Sequence, residues 1–169
     1  GGLGGGSSNA AVTLLALNNL FGLGHSLDEL TVMGGVLGAD VPVFVRGRSA
    51  FAAGIGDELT PIELPERWFV IICPDCHVST QEIFDAPELT RNTPPITVSA
   101  FFEGRVRNDL QPVVESRFEQ VSRAIRWLSD HGSAMMTGSG ACVFASFDSI
   151  SEAQHVAESA KGEFSAFVA

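Results

Sequence analysis

Apolar side chains recur at helical spacing in the first part of the chain. Between residues 10 and 21 they stand three and four positions apart, which predicts a helix that Gly22 ends. A second helix is predicted to begin after Ser26 and to run to about Leu37, because Ser26 and Glu29 have the spacing of a capping box. The chain is therefore expected to open with two helices.

A different pattern begins near residue 65, where prolines and charged residues indicate a connection between domains. After this connection, the continuous apolar run Trp68–Ile72 predicts a buried strand. Before it, residues 49–57 are expected to form a strand and a tight turn. We therefore expect residues 1–64 and 65–169 to form separate domains.

The second predicted domain alternates between strands and helices. A short helix is expected near residue 80, and a long amphipathic helical region is expected from 108 to 132. Further strands are predicted in the second half of 135–147 and at 164–168, with a serine-capped helix beginning at Ser151 between them. This alternation predicts an α+β fold in which helices cover one face of a sheet.

Composition and charge limit the classes of partner. Of the 169 residues, 45% are hydrophobic and 18% are charged, which is typical of a packed globular protein. The formal net charge of -10 argues against a nucleic-acid partner, because such proteins need a basic face. No apolar run approaches the length of a membrane span, so we expect no membrane partner and a cytoplasmic protein. The first residue is glycine, not methionine, and the opening loop lacks a preceding element, which predicts a piece of a longer protein. The oligomeric state is not predicted.

The glycine-rich opening is the first candidate for binding chemistry. Five of the first six residues are glycine, and Ser7, Ser8 or Asn9 is expected to cap the helix that follows. A glycine loop that ends at a helix N-terminus directs unpaired N–H groups at one point, which attracts phosphate. The spacing excludes a Walker A loop, which needs lysine, and a dinucleotide fingerprint. A flexible linker remains the alternative interpretation.

Asp40 is the second candidate, because it is an isolated acid within an apolar stretch. A carboxylate in such surroundings must be hydrogen-bonded or paired, or else its pKa rises. Two roles remain open from the residues alone. Asp40 is either a turn or capping residue before Pro42, or a general base near the glycine loop.

The cysteines offer a different chemistry. Cys73, Cys76 and His77 match the pattern of a haem-attachment site or a redox dithiol. Residues 78–80 do not resemble the helix start expected after a redox dithiol, and a zinc site that added Cys142 would lack a second cysteine pair. We therefore expect three reduced cysteines with no metal site, and we keep redox or haem chemistry as the remote alternative.

Four segments resemble the GHMP small-molecule kinases. They are Gly-Leu-Gly-Gly-Gly-Ser-Ser-Asn-Ala at the start, Gly-Ala-Asp-Val-Pro-Val-Phe around Asp40, the segment from Phe84 to Pro94, and Thr-Gly-Ser-Gly-Ala-Cys-Val-Phe from Thr137. Their order and separations agree with the family. The extra glycines and the Phe84 segment are similar to the member that phosphorylates a cytidine diphosphate-linked methylerythritol.

The resemblance implies a fold, a reaction and a set of site residues. The fold would be an incomplete N-terminal ATP-binding domain followed by a C-terminal α/β sandwich domain. Mg²⁺ and ATP would phosphorylate the 2-hydroxyl of the cytidyl substrate, with Asp40 as the catalytic base. The phosphate loop would comprise Gly1, Gly2, Leu3, Gly4, Gly5, Gly6, Ser7 and Ser8. Substrate would contact Phe84, by stacking on cytosine, and the segment Thr137, Gly138, Ser139 and Gly140. The residues alone leave two other interpretations open: Phe84 as a core residue, and the segment from Thr137 as an ordinary hairpin turn.

Two further expectations follow from the resemblance. The family's catalytic lysine and much of its cytidine pocket lie in an N-terminal segment that is not among these residues, so the chain alone is expected to have little activity. The alternative within the family is a homoserine or mevalonate-type kinase. For Arg91, the residues leave open a surface charge or a cation that faces substrate.

Overall fold

The computed structural model describes residues 2–54, 56 and 58–169, which form two compact units. One unit is Gly4–Pro65, and the other contains Gly2 and Leu3 together with Glu66–Ala169. Ile55 and Asp57, in the turn predicted within 49–57, lie outside the described residues, as does Gly1.

The unit Gly4–Pro65 consists of three helices and a two-stranded antiparallel sheet among the described residues. Its elements are α1 (Gly5–Leu20), α2 (Leu27–Leu37), α3 (Val41–Arg46), β1 (Ala50–Ala53) and β2 (Glu58–Pro61). The three helices pack around a small core of buried side chains: Ala11, Leu30, Val41 and Val45.

The beginning of α2 confirms the predicted capping box. The Glu29 N–H donates to Ser26 Oγ at 3.3 Å, and the Ser26 N–H donates to Glu29 Oε2 at 2.8 Å. These reciprocal bonds satisfy backbone donors at the helix start. The bonds that the Ser26 N–H and then its hydroxyl donate to the Glu29 carboxylate hold the pKa of Glu29 below its ordinary value. The helix ends at Leu37, as the sequence predicts.

The beginning of α1 differs from the prediction. Its N-cap is Gly4, not Ser7, Ser8 or Asn9, and no side chain caps it within the part of the chain that the structure describes. Gly4 has a φ of 65°, a left-handed conformation that glycine adopts without steric cost. The Ser8 N–H then donates to the Gly4 carbonyl at 2.8 Å, so the helix is already formed where a serine cap was expected.

The second unit combines helices with a four-stranded antiparallel sheet, which agrees with the predicted α+β class. Its elements are β3 (Trp68–Ile72), α4 (Thr80–Phe84), α5 (Val98–Phe102), α6 (Gln111–Arg117), α7 (Glu119–Ser129), β4 (Met135–Met136), β5 (Val143–Phe147), α8 (Ile150–Ser159) and β6 (Ala166–Val168). The strand order is β4-β5-β3-β6. The central pair β3–β5 sets Trp68 opposite Phe147 and Ile72 opposite Val143.

The core lies between this sheet and α6, α7 and α8. Alternate residues of β3 and β5, such as Val70, Ile72 and Val143, are fully buried on that face. The helices contribute the predicted apolar stripe, which includes Val114, Val121 and Leu128.

One long helical region was predicted where the structure has two helices. Phe118 takes an extended conformation (φ -128°, ψ 95°) between α6 and α7, and its side chain packs against the core. Apolar residues of both helices, such as Val114 and Val121, belong to the same buried core. No helix of the described residues is long and apolar enough to cross a membrane.

Candidate functional site

The first turn of α1 presents unbonded backbone donors. Because the first N–H that bonds back into the helix is that of Ser8, the N–H groups of Gly5, Gly6 and Ser7 precede the helical ladder. Gly5 and Gly6 are exposed, and a Cβ at either would meet no atom within 4 Å. This sixteen-residue helix therefore begins with accessible N–H donors, and the positive end of its dipole lies at the same place. Such a helix start can bind an anion such as phosphate.

Asp40 is the N-cap residue of α3, where Pro42 follows in the first turn. Its carboxylate is exposed and forms no capping hydrogen bond. It also forms no ion pair with another described residue. The expectation of a carboxylate enclosed by apolar neighbours was therefore wrong: the neighbours Val41 and Pro42 are buried, but Asp40 itself points out of the core.

Asp40 lies on the helix that packs against the first turn of α1 within the same unit. The Phe44 ring contacts Gly4, since a Cβ on Gly4 would lie 2.6 Å from Phe44 Cζ. Asp40 precedes Phe44 by four residues, which places the two one helical turn, about 6 Å, apart on the same face of α3. The helix α3 therefore carries an unpaired carboxylate one turn before the residue whose ring contacts the N-cap of α1.

In the second unit, Gly2 contacts the loop that joins β4 to β5. Thr137 Oγ1 donates to the Gly2 carbonyl at 2.7 Å. Gly2 has a φ of 82°, and a Cβ there would lie 2.5 Å from the Thr137 carbonyl oxygen. Glycine is required at this position, because a side chain would overlap the backbone of the loop.

The loop itself is fixed from several directions. Thr137 and Cys142 close it with an N–H to carbonyl bond of 3.0 Å, and the hydroxyl of Ser139 lies 2.7 Å from that of Thr80, the first residue of α4. The loop is thus a hairpin connection, as one prediction had it, and it is also bonded to two other segments of the unit.

Asn108 is a residue of this site that sequence reasoning treated only as the start of a helical region. Its Nδ2 donates to the carbonyls of Met136 at 2.9 Å and Gly138 at 2.7 Å, and its Oδ1 accepts from the Leu110 N–H at 3.0 Å. Both donors of the amide are therefore used to hold the loop. The signal available in the sequence was a polar residue before Pro112, which does not reveal partners about thirty residues away.

Phe84 is an exposed aromatic residue at the end of α4, 49% accessible. The alternative that it belongs to the core is therefore wrong, and a stacking role stays a prediction. Arg91 donates to the Phe84 carbonyl at 2.6 Å and to the Ala86 carbonyl at 3.2 Å. Arg91 thus braces the end of this helix.

The cysteines pair differently from the Cys-x-x-Cys pattern. Cys73 Sγ lies 3.4 Å from Cys142 Sγ, and all three cysteines are free thiols. Burial, followed by the hydrogen bond with Cys73, raises the pKa of Cys142 to about 11. Among the described residues, no group of three or more His, Cys, Asp and Glu side chains is arranged to hold a metal ion.

The only lysine of the sequence, Lys161, is far from this chemistry along the chain. It follows α8 and pairs with Glu158 at 2.5 Å on the surface of the second unit. The described residues therefore offer backbone N–H groups, not a lysine, at the candidate phosphate site.

Two sequence models of one family match the chain. The GHMP kinases N terminal domain matches residues 1–48, and the GHMP kinases C terminal domain matches residues 97–166. Together they include the glycine segment, Asp40 and the Thr137 loop. The chain belongs to the GHMP kinase family. The mixed helix-and-strand architecture predicted from the sequence is confirmed.

Curated relatives are similar along the whole chain. A 4-diphosphocytidyl-2-C-methyl-D-erythritol kinase from Alkalilimnicola ehrlichii is 53% identical over 169 residues, and one from Cupriavidus taiwanensis is 56% identical over 165 residues. These matches cover 100% and 94% of this chain. They cover 58% and 56% of the relatives, so the chain spans little more than half their length.

A solved structure has the same fold. It is the crystal structure of a 4-(cytidine 5'-diphospho)-2C-methyl-D-erythritol kinase, with a TM-score of 0.83 and 31% sequence identity. The match covers 99% of this chain and 65% of that chain.

Proposed function

We propose that this chain takes part in the transfer of the terminal phosphoryl group of ATP to the 2-hydroxyl of 4-diphosphocytidyl-2-C-methyl-D-erythritol, a step of the non-mevalonate route to isoprenoids. The observation that carries the proposal is the arrangement in the first unit. The ring of Phe44 contacts the N-cap of a helix whose first N–H groups are exposed, and Asp40, an unpaired carboxylate, lies one turn before Phe44 on α3. The names of the relatives support the choice of substrate.

The exposed N–H groups would bind the phosphates of ATP. A net charge of -10 repels nucleotides over long range, so attraction must come from local donors. The N–H groups of Gly5, Gly6 and Ser7 supply such donors. Phosphoryl transfer needs positioned donors more than covalent help, which suits a loop built from backbone groups.

Mg²⁺ bound to ATP would neutralise charge on the transferring phosphoryl group. Magnesium prefers oxygen ligands. The hydroxyls of Ser7 and Ser8 fit that preference, since both residues lie only half-buried in the first turn of α1. We propose that Ser7 or Ser8 approaches Mg²⁺ through its hydroxyl oxygen.

Asp40 would accept the proton of the attacking hydroxyl. Its carboxylate is exposed and has no partner in the described residues, so its oxygens are available to accept a proton. Phe84 would stack on the cytosine ring, and Thr137, Gly138, Ser139 and Gly140 would contact substrate. We propose little activity for the chain alone, because the family's catalytic lysine is not among its residues.

The test is ATP-dependent phosphorylation of the cytidyl substrate by the longest protein that contains this chain, with and without Asp40→Asn. We expect the variant to keep its fold and to lose about two to four powers of ten in kcat, with a smaller change in the KM for ATP. Asp130→Asn is the matched control, because Asp130 is an exposed carboxylate in the other unit.

The outcomes separate the parts of the proposal. Unchanged kcat in Asp40→Asn would leave the kinase assignment and remove Asp40 from the mechanism. Activity on homoserine or mevalonate but not on the cytidyl substrate would keep the family and overturn the substrate.

A further inference from the structure

The register of the central strands brings two distant cysteines together. β3 ends at Ile72 and β5 begins at Val143, and these two residues are opposite each other. One position beyond this pair, Cys73 lies opposite Cys142, although the two cysteines are 69 residues apart in the sequence. The two sulfur atoms are 3.4 Å apart.

The backbone bonds show which kind of antiparallel pair this is. The Cys73 N–H donates to the Ser165 carbonyl at 2.9 Å, beside β6, and the Cys142 carbonyl accepts from the Thr137 N–H at 3.0 Å, beside β4. Both backbones thus bond away from each other, which defines a non-hydrogen-bonded pair. The Cα atoms of such pairs are about 4.5 Å apart, within the range of disulfides, about 4.4 to 6.8 Å.

The two thiols differ in their access to solvent. Cys73 is half-buried and lines an open surface pocket of about 190 Å³ together with Arg123 and Glu163. Cys142 is only 6% exposed, and burial raises its pKa. Because the thiolate is the nucleophile, Cys73 is the thiol that meets an external reagent first, and Cys142 reacts afterwards from inside.

We propose that Cys73 and Cys142 are a redox modification site, which closes to an intrachain disulfide with a small disulfide such as oxidised glutathione. Cys76, although it is nearer to Cys73 in the sequence, remains a free thiol. This inference is independent of the proposed kinase reaction.

The reaction balances in two exchange steps. The Cys73 thiolate attacks one sulfur of oxidised glutathione, which forms a mixed disulfide and releases one glutathione thiolate that takes up the proton. The Cys142 thiol then loses its proton and attacks Cys73 Sγ, which breaks the mixed disulfide and releases a second glutathione. Two protein thiols are oxidised and one glutathione disulfide is reduced to two thiols.

A Cys73–Cys142 disulfide would lie at the end of the loop that joins β4 to β5. Cys142 is the last residue before β5 and closes the loop that begins at Thr137. A Cys73–Cys142 disulfide therefore ties the end of that loop to β3, next to the contact between Thr137 and Gly2.

The test is oxidation of the purified, fully reduced chain with oxidised glutathione, followed by alkylation and peptide mapping without reductant. We expect the number of alkylated thiols to fall from three to one, a Cys73–Cys142 linked peptide, and an alkylated Cys76. Dithiothreitol should restore all three thiols. A Cys73–Cys76 link, or three thiols that stay reactive, would overturn the proposal.

Variants and an unfolded control sharpen the result. Cys76→Ser should form the same link, whereas Cys142→Ser should stop at a stable mixed disulfide on Cys73. Cys142→Ala serves as a second variant if the serine at this buried position prevents folding. In guanidinium, short-range closure should favour Cys73–Cys76, and the same Cys73–Cys142 preference in the unfolded chain would show that the fold does not select the pair.

Discussion

Replacing Gly2 by alanine tests the contact between the glycine segment and the β4–β5 loop. Gly2 has a φ of 82°, a left-handed conformation that costs other residues about 1–2 kcal/mol. A Cβ there would also stand 2.5 Å from the Thr137 carbonyl oxygen and 3.2 Å from that of Gly140. Both obstacles are backbone atoms, so rotation of a side chain cannot relieve the overlap.

The free energy of the Gly2–Thr137 contact can be compared with the strain that alanine would introduce. The contact contains one hydrogen bond, from Thr137 Oγ1 to the Gly2 carbonyl, which stabilises it by a net free energy of about 0.5–1.5 kcal/mol. The conformational strain of about 1–2 kcal/mol is comparable to this gain, and the overlap adds a further cost. We therefore expect Gly2→Ala to break the contact while the rest of the unit stays folded. If the β4–β5 loop loses about 1 kcal/mol of stabilisation, the population in which its hydrogen bonds are broken rises about fivefold.

The assay is amide hydrogen exchange of Thr137 and Gly140, whose N–H groups bond to the Cys142 and Thr137 carbonyls. Protection of both amides should fall about fivefold in Gly2→Ala. Gly5→Ala is the matched control, since its Cβ meets nothing within 4 Å and its protection should equal that of the original chain. Equal protection in both variants would refute the reasoning. Nucleotide titration, as a separate measurement, would report whether the contact matters for the proposed phosphate site.

Two other predictions concern the same loop. Asn108→Ala should lower the free energy of unfolding in urea by about 1.5–3 kcal/mol, because three hydrogen bonds are lost at a half-buried site, whereas Asn92→Ala on the exposed surface should change it little. An unchanged urea midpoint in Asn108→Ala would contradict the bracing role. Cys142 should react slowly with iodoacetamide at pH 8 and faster as the pH rises toward its pKa of about 11, since only the thiolate reacts and burial favours the protonated thiol. Mass spectrometry of labelled peptides measures the rates, and labelling of Cys142 at the rate of an exposed thiol at pH 8 would be inconsistent with its burial.

The sequence by itself determined the features that depend on near neighbours. The start of α2 follows from Ser26 and Glu29, whose reciprocal bonds span three residues. The strand Trp68–Ile72 follows from its continuous apolar run, and family membership follows from motifs that are contiguous in the chain. Each of these signals is complete within a short window, so no tertiary contact is needed to interpret it.

The tertiary structure decided the features in which local signals were ambiguous. Residues 111–129 have a continuous helical stripe, yet Phe118 leaves the helix because its ring packs into the core. Gly4 is the N-cap of α1 although serines follow, and the Phe44 ring leaves no room for a side chain at this position. A phenylalanine is most often a core residue, but Phe84 lies exposed, because Ile83 fills the buried side of the same short helix.

The candidate site shows the same division. The glycine segment, Asp40 and the Thr137 loop were visible as motifs, whereas the partners that hold the loop were not. Asn108 reaches Gly138 across thirty residues, Thr137 reaches Gly2 across 135, and Cys73 meets Cys142 rather than Cys76. These contacts depend on strand register and on where a hairpin turns, and an antiparallel register is set by the packing of whole strands. A sequence pattern names the residues that carry the chemistry, and the sheet decides which of them touch.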